Sequence, residues 1–154
     1  MSVRYTRLGV NGMVGLRCLQ LILRRRFKIN KEHSQKLITD FPNMFELPYG
    51  FECGDGWFQL IYVLSKALYE GCIDRGISIG FNQETEDRFY VNQVKEKYGT
   101  LRYYTNYRWD WMDLLIDKAE GKSESICEAC GKEGFLDKKQ NWYYTRCNNC
   151  WKQV

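Results

Sequence analysis

The chain has one histidine and two prolines among its 154 residues. It also has no long uninterrupted apolar run. The longest apolar stretch, Met13 to Leu23, is interrupted by Arg17 and Gln20. It is about half of the ~20 residues that a helix needs to span a bilayer. Arg24-Arg25-Arg26 stands where a secretory leader would carry a small-residue cleavage site, so a signal peptide is a poor fit. No low-complexity tract or internal repeat occurs. The chain also lacks a phosphate-cradling glycine loop, a serine elbow and a metalloprotease helix, which removes the commonest catalytic signatures.

What is present points to a folded protein. Hydrophobic residues make up 44% of the chain and aromatic residues 16%, enough for a core at this length. The net charge of +4 is unevenly spread. Residues 1–28 carry +7 with no acid, residues 29–125 carry −5, and residues 126–154 carry +2. An acidic middle repels a phosphate backbone, so nucleic-acid contact is expected to fall to the two ends.

Four of the seven cysteines stand as Cys127-x2-Cys130 and Cys147-x2-Cys150. Two thiolates two residues apart can occupy adjacent corners of a tetrahedron, and a hairpin can bring up a second such pair to close it. The expectation is one structural Zn2+ in a zinc ribbon, with Gly131 allowing the first knuckle to turn back. Four thiolates leave no coordination position for water, which marks a structural rather than a catalytic ion. Cys18, Cys53 and Cys72 remain, an odd number without framework spacing; this favours a reducing, cytoplasmic setting.

Along the chain, residues 13–27 read as a helix ending in arginines, either packed or lying on a membrane or nucleic-acid surface. Asn30 is expected to cap a helix through about Thr39, stopped by Phe41-Pro42. The loop Pro48–Gly56, with glycines at 50, 54 and 56, suggests tight turns, and Asp55 is placed to cap the next helix. That helix, Gly56–Ile73, repeats Trp57, Leu60, Ile61, Leu64, Ala67 and Leu68 on one face and should end at Gly76 or Gly80. An acidic loop over 82–87 follows. From Arg88, two strands around Tyr98-Gly99-Thr100 read as a β-hairpin, with Leu101, Tyr103 and Thr105 on one face and a bulge near Asn92. Asp110 is expected to cap a helix to Lys122, with Met112, Ile116 and Ala119 on one side and Trp111, Leu114, Leu115 and Lys118 on the other. The fold class is α+β, with helices packed on a small antiparallel sheet. Its parts are a basic extension (1–28), a body (29–123) and the zinc ribbon (124–154).

Other candidate sites carry less weight. His33 could form a dyad with Cys53, but nothing in the sequence joins them, and it reads as an exposed helix residue. Glu52 and Asp55 read as loop and cap residues. The hairpin sets Tyr98, Tyr103 and Tyr104 beside Lys95, Lys97 and Arg102. The ribbon sets Trp142, Tyr143 and Trp151 beside Lys138, Lys139, Arg146 and Lys152. Such mixtures stack bases or anchor protein contacts. Trp142, Tyr143, Arg146, Lys138 and Lys139 are the candidate binding residues.

Several stretches occur together: Cys53-Gly-Asp-Gly-Trp57, Gln93-Val-Lys-Glu-Lys-Tyr-Gly-Thr-Leu-Arg-Tyr103, Ala119-Glu120 with Ser123 and Ser125, Cys127-Glu-Ala-Cys-Gly131, Gly134, Trp142, Thr145 and Cys147-Asn-Asn-Cys150. In this pattern the chain resembles a group of small, uncharacterised proteins encoded by bacteriophages and prophages. The resemblance covers about residues 49–151 and leaves out the first 28. It implies a phage setting, with a cytoplasmic protein acting on a host component or a part of the virion, and supplies no mechanism. The leading expectation is a non-enzymatic, zinc-stabilised binding protein that engages a host macromolecule, a protein first. The alternatives are a nucleic-acid-binding module using the ribbon and basic N-terminus, and a virion or assembly component.

Overall fold

A computed structural model describes residues 28–81 and 88–153. The expected basic helix over 13–27, Cys18 and the acidic loop 82–87 lie outside the described residues.

Helix α1 spans Lys31–Asp40, and the Asn30 side chain caps it by accepting the His33 amide at 2.8 Å. This follows the sequence expectation; a cap of this kind contributes about 1 kcal/mol. Phe41 closes the helix, its amide donating to Leu37 O.

A 3-10 turn, Asp55–Trp57, leads into helix α2, Phe58–Asp74. The buried residues of α2 are Ile61, Leu64, Ser65, Leu68, Gly71 and Cys72, preceded by the fully buried Trp57. Leu60 and Ala67 sit half-buried at the margins of that stripe. Gly76, at φ +65, turns the chain away after α2. Asp55 does not cap α2 as expected. The residue before α2 is Trp57, and no side chain caps it. The Asp55 carboxylate instead points back to the start of α1, where Asn30 and His33 supply its hydrogen-bond partners.

Strands β1 (Val91–Lys97) and β2 (Thr100–Thr105) form an antiparallel hairpin. Tyr98 and Gly99 have φ of +55 and +77, the pair of positive values that a two-residue type I′ turn requires. The register shifts between Val91 and Gln93, which is the bulge expected at Asn92. Leu101 and Tyr103 are buried, and Tyr103 Oη lies 2.9 Å from Ser65 Oγ on α2.

Both open edges of this two-stranded sheet are occupied. On the β1 side, Met44, Glu46 and Glu52 exchange backbone hydrogen bonds with Val91, Val94 and Glu96. On the β2 side, helix α3 (Asp110–Lys122) and the 3-10 turn after it supply side chains. Glu120 Oε1 accepts the Tyr103 amide and Ser123 Oγ the Leu101 amide, each at 2.9 Å. A covered edge cannot recruit a foreign strand.

Helix α3 buries Met112, Ile116 and Ala119. Of its other expected face, Trp111 and Leu115 pack partly against the core, while Leu114 is 76% exposed. Asp110 is the first residue of α3 and not its cap; Trp109 holds the cap position without a side-chain hydrogen bond.

The C-terminal part adds a second antiparallel pair, β3 (Phe135–Lys139) and β4 (Trp142–Arg146), and a short helix α4 (Asn148–Trp151). Gln140 and Asn141 form its turn at φ +50 and +67. The fold is mixed, with helices and two small antiparallel sheets and four cysteines gathered at the C-terminal end. No helix among the described residues is long and apolar enough to cross a membrane.

Candidate metal centre and the surface beside it

Cys127 and Cys130 lie on a tight knuckle. The Gly131 amide donates to Cys127 O at 2.8 Å, and Gly131 takes φ +75, the turn expected of it. Cys147 and Cys150 flank the start of α4. Sequence distance is closed by β3 and β4, which return the chain so that all four sulfurs lie within 4.8 Å of one another. Cys130 Sγ and Cys147 Sγ are 3.7 Å apart, far beyond a disulfide bond of ~2.05 Å. The group is able to hold a metal ion.

The thiols are not equivalent. The backbone N–H of Cys150 draws the Cys147 thiol down to about 6 against the opposing effect of burial, with help from the neighbouring thiols and the Asn149 N–H. Burial and the neighbouring sulfurs push Cys150 up to about 12, and burial also raises Cys130. Cys53 and Cys72 stand apart from the group. Burial, reinforced by nearby carboxylates, pushes Cys53 well up, and burial pushes Cys72 to about 11. Neither is poised as a nucleophile.

The residues between and beside the ligands attach the centre to the body. Glu128, inside the first knuckle, is buried. Its Oε1 accepts the Gly54 amide at 2.8 Å, its Oε2 accepts Arg146 Nη1 at 2.7 Å, and its backbone oxygen accepts the Gly56 amide at 2.8 Å. Burial raises the Glu128 carboxyl, while the guanidinium and the Gly54 amide pull it back. Trp57 Nε1 donates to Ile126 O at 2.8 Å, and Thr145 Oγ1 donates to Gly99 O at 2.6 Å.

The glycines at 54 and 56 belong to a tight turn, as expected, the 3-10 turn closed by the Trp57 amide on Gly54 O, and they also serve this contact. Gly54 has an ordinary φ of −74, but a Cβ there would overlap Glu128 O. A Cβ on Gly56 would overlap Cys127 O and the Gly131 amide. Backbone-to-backbone approach excludes a side chain at both.

Arg146 is thus corrected as a binding residue. It is buried in an ion pair with Glu128, because the strand that carries it packs toward the first knuckle. Tyr103, among the hairpin aromatics, is likewise buried in the core and closed to a ligand. The other candidate positions are accessible: Trp142 is 58% and Tyr143 43% exposed, Lys138 is exposed and Lys139 half-buried. Trp151 packs inward, within 5.8 Å of Phe135 and 6.1 Å of Tyr144 between ring centroids.

His33 is not an exposed residue of α1, nor is it beside the Cys53 thiol as a dyad. It stacks on Phe58 at 3.8 Å between ring centroids, and its Nδ1 lies 2.8 Å from Asp55 Oδ1. Asp55 also accepts the Asn30 backbone and side-chain N–H groups at 2.9 and 3.0 Å. Burial raises its carboxyl, but these bonds outweigh it and hold Asp55 below the usual carboxylate range. The arrangement pins α1 to the start of α2.

Sequence reasoning missed the Glu128–Arg146 pair. The only available signal was a charged residue next to a ligand in each knuckle, and that does not reveal that the two side chains meet. Comparison with protein families, with characterised proteins and with solved structures gives no match, so the site is read from its own geometry.

Proposed function

We propose that this is a non-catalytic binding protein whose C-terminal end is held by one structural Zn2+ on Cys127, Cys130, Cys147 and Cys150, a zinc ribbon seated on the α+β body. The observation that carries the reading is the 3.7 Å separation of Cys130 and Cys147 sulfurs. Corners of a tetrahedron with zinc–sulfur bonds of ~2.3 Å lie about 3.8 Å apart. An all-thiolate set is closed to water, which supports a structural role.

Three further features favour binding over catalysis. The single histidine is engaged with Asp55 and Phe58, the two buried spare thiols are held protonated, and exposed aromatics including Tyr98, Tyr104, Trp142 and Tyr143 lie on the hairpins. A cytoplasmic phage or prophage protein acting on a host macromolecule is the setting we favour, following the resemblance over residues 49–151.

Elemental analysis of the purified chain should find about one zinc per molecule. Cys130→Ser should release it and unfold the C-terminal end, since structural zinc contributes on the order of 10–16 kcal/mol of apparent binding energy in small peptides. Zinc-free folded protein, or iron with visible absorbance, would end the reading.

A further inference from the structure

The geometry points to single-stranded nucleic acid as the ligand of the surface formed by the outward face of β1–β2 and the adjoining tip of β3–β4. This inference rests on the binding-protein reading above and names the partner class; it places contact on β1–β2, inside the acidic segment 29–125, because the charge of this one face and not the segment's net charge meets the ligand.

Three exposed tyrosines each carry a lysine ammonium on the ring. Lys95 Nζ lies 5.2 Å from the Tyr104 centroid, Lys97 Nζ 5.5 Å from Tyr98, and Lys138 Nζ 5.6 Å from Tyr143. The rings are 37%, 67% and 43% exposed. Among the described residues, Lys95, Lys97 and Lys138 form no ion pair.

The three units are neighbours in space. Cross-strand partners share a sheet face, so Lys95 with Arg102 and Gln93 with Tyr104 point outward from β1–β2; Lys97 lies on the same face and is exposed, while its partner Thr100 is buried. On β3–β4, Lys138 with Tyr143 and Leu136 with Thr145 share one face, and Thr145 bonds the carbonyl of Gly99 in the β1–β2 turn. A Cβ at Gly99 would lie 2.5 Å from Leu136 Cδ1 and 3.0 Å from Tyr143 C, so the two hairpins touch there. Of the nearby acids, Glu120 is 3.5 Å from Arg102 and accepts the Tyr103 amide, Glu52 accepts Gln93 Nε2 at 2.8 Å, and Asp137, on the face of β3 opposite Lys138, accepts the Lys138 amide at 2.6 Å.

This chemistry selects the occupant. An ammonium without a carboxylate partner can take a phosphate, and the tyrosine beneath it offers a π-face to a base. In a duplex the bases are stacked on each other and out of reach of such rings, so unpaired strands fit better. Protein interfaces deplete lysine, whereas here each of the three tyrosines is paired with a lysine.

The test uses the full zinc-loaded chain and a fluorescein-labelled oligothymidylate of about 15 nucleotides, read by anisotropy, with a duplex of equal length beside it. The single strand should bind more tightly than the duplex, and binding should weaken between about 50 and 200 mM salt. Replacing both Lys97 and Lys138 by Gln should reduce the log–log salt slope by roughly 1.4, about 0.7 per phosphate contact.

Tyr98→Asn, which keeps a residue tolerant of positive φ, and Tyr143→Thr, which suits a strand, should each weaken binding roughly 5- to 150-fold. Unchanged zinc content and far-UV circular dichroism would show that these variants remain folded. Variants that bind like wild type, a single strand that does not bind at low salt, or equal affinity for duplex would overturn the inference. So would a protein partner that resists nuclease and is lost in Tyr98→Asn or Tyr143→Thr; that outcome assigns the surface to protein. A folded, zinc-loaded chain that ignores the oligonucleotide sinks only the partner class. A folded chain without zinc sinks the reading on which it rests.

Discussion

Glu128 is the most informative position to perturb, because its carboxylate ties the Cys127–Cys130 knuckle both to Gly54 in the body and to Arg146 on β4 through buried bonds. In Glu128→Gln the shape is kept and one acceptor becomes a donor. Whichever way the amide is turned, its NH2 faces either the Gly54 amide or the Arg146 guanidinium, both donors. The side chains are only 5% and 4% exposed, so water cannot substitute. Breaking a buried pair by removing one partner costs about 3–5 kcal/mol. With a urea slope of about 1.5 kcal/mol/M, the unfolding midpoint should fall by roughly 2–3 M.

The double variant Glu128→Leu with Arg146→Met removes both charges and leaves the Gly54 amide without its carboxylate partner. That residual cost of about 1–3 kcal/mol opposes a gain of up to about 4 from discarding a desolvated pair. The double variant should therefore unfold within about 2 kcal/mol of wild type. Urea titrations at fixed free zinc, followed by tryptophan fluorescence, would measure both, since bound metal shifts apparent stability by mass action. A Glu128→Gln cost under about 1 kcal/mol, or a double variant as weak as the single, would refute the reasoning.

Other sites give independent checks. Gly56→Ala should cost about 1–3 kcal/mol by forcing apart the 3-10 turn and the first knuckle, and calorimetry should show it as a lowered Tm. Leu64→Ala should cost about 2–5 kcal/mol by chemical denaturation, as Leu64 is 4% exposed within the α2 core face. Asp55 titrates below its ordinary value when folded, so its contribution is full above the unfolded value of ~3.9 and is lost as pH falls through the lower, folded one. Asp55→Asn should therefore flatten the acid limb of a stability–pH curve; an acid limb as steep as wild type would exclude this role.

Much of the local structure was legible in the chain because its causes are local. The periodicity of Ile61, Leu64 and Leu68, the Asn30 cap, the Tyr98-Gly99 turn and the paired Cys-x2-Cys knuckles each act within a few residues, and each stands where the residue pattern put it. The side-chain directions of Asp55, His33, Glu128 and Arg146 were not legible. Asp55 had two ways to satisfy a carboxylate, and only the approach of α1 made Asn30 and His33 the nearer donors. Gly54 and Gly56 were legible as turn glycines, but nothing in the sequence marks them as contact glycines too; the backbone of residues 127–131 pressing on them decides that. Arg146 reads as a surface cation until tertiary folding brings Glu128 within 2.7 Å, where two charges withdrawn from water hold each other in place of solvent.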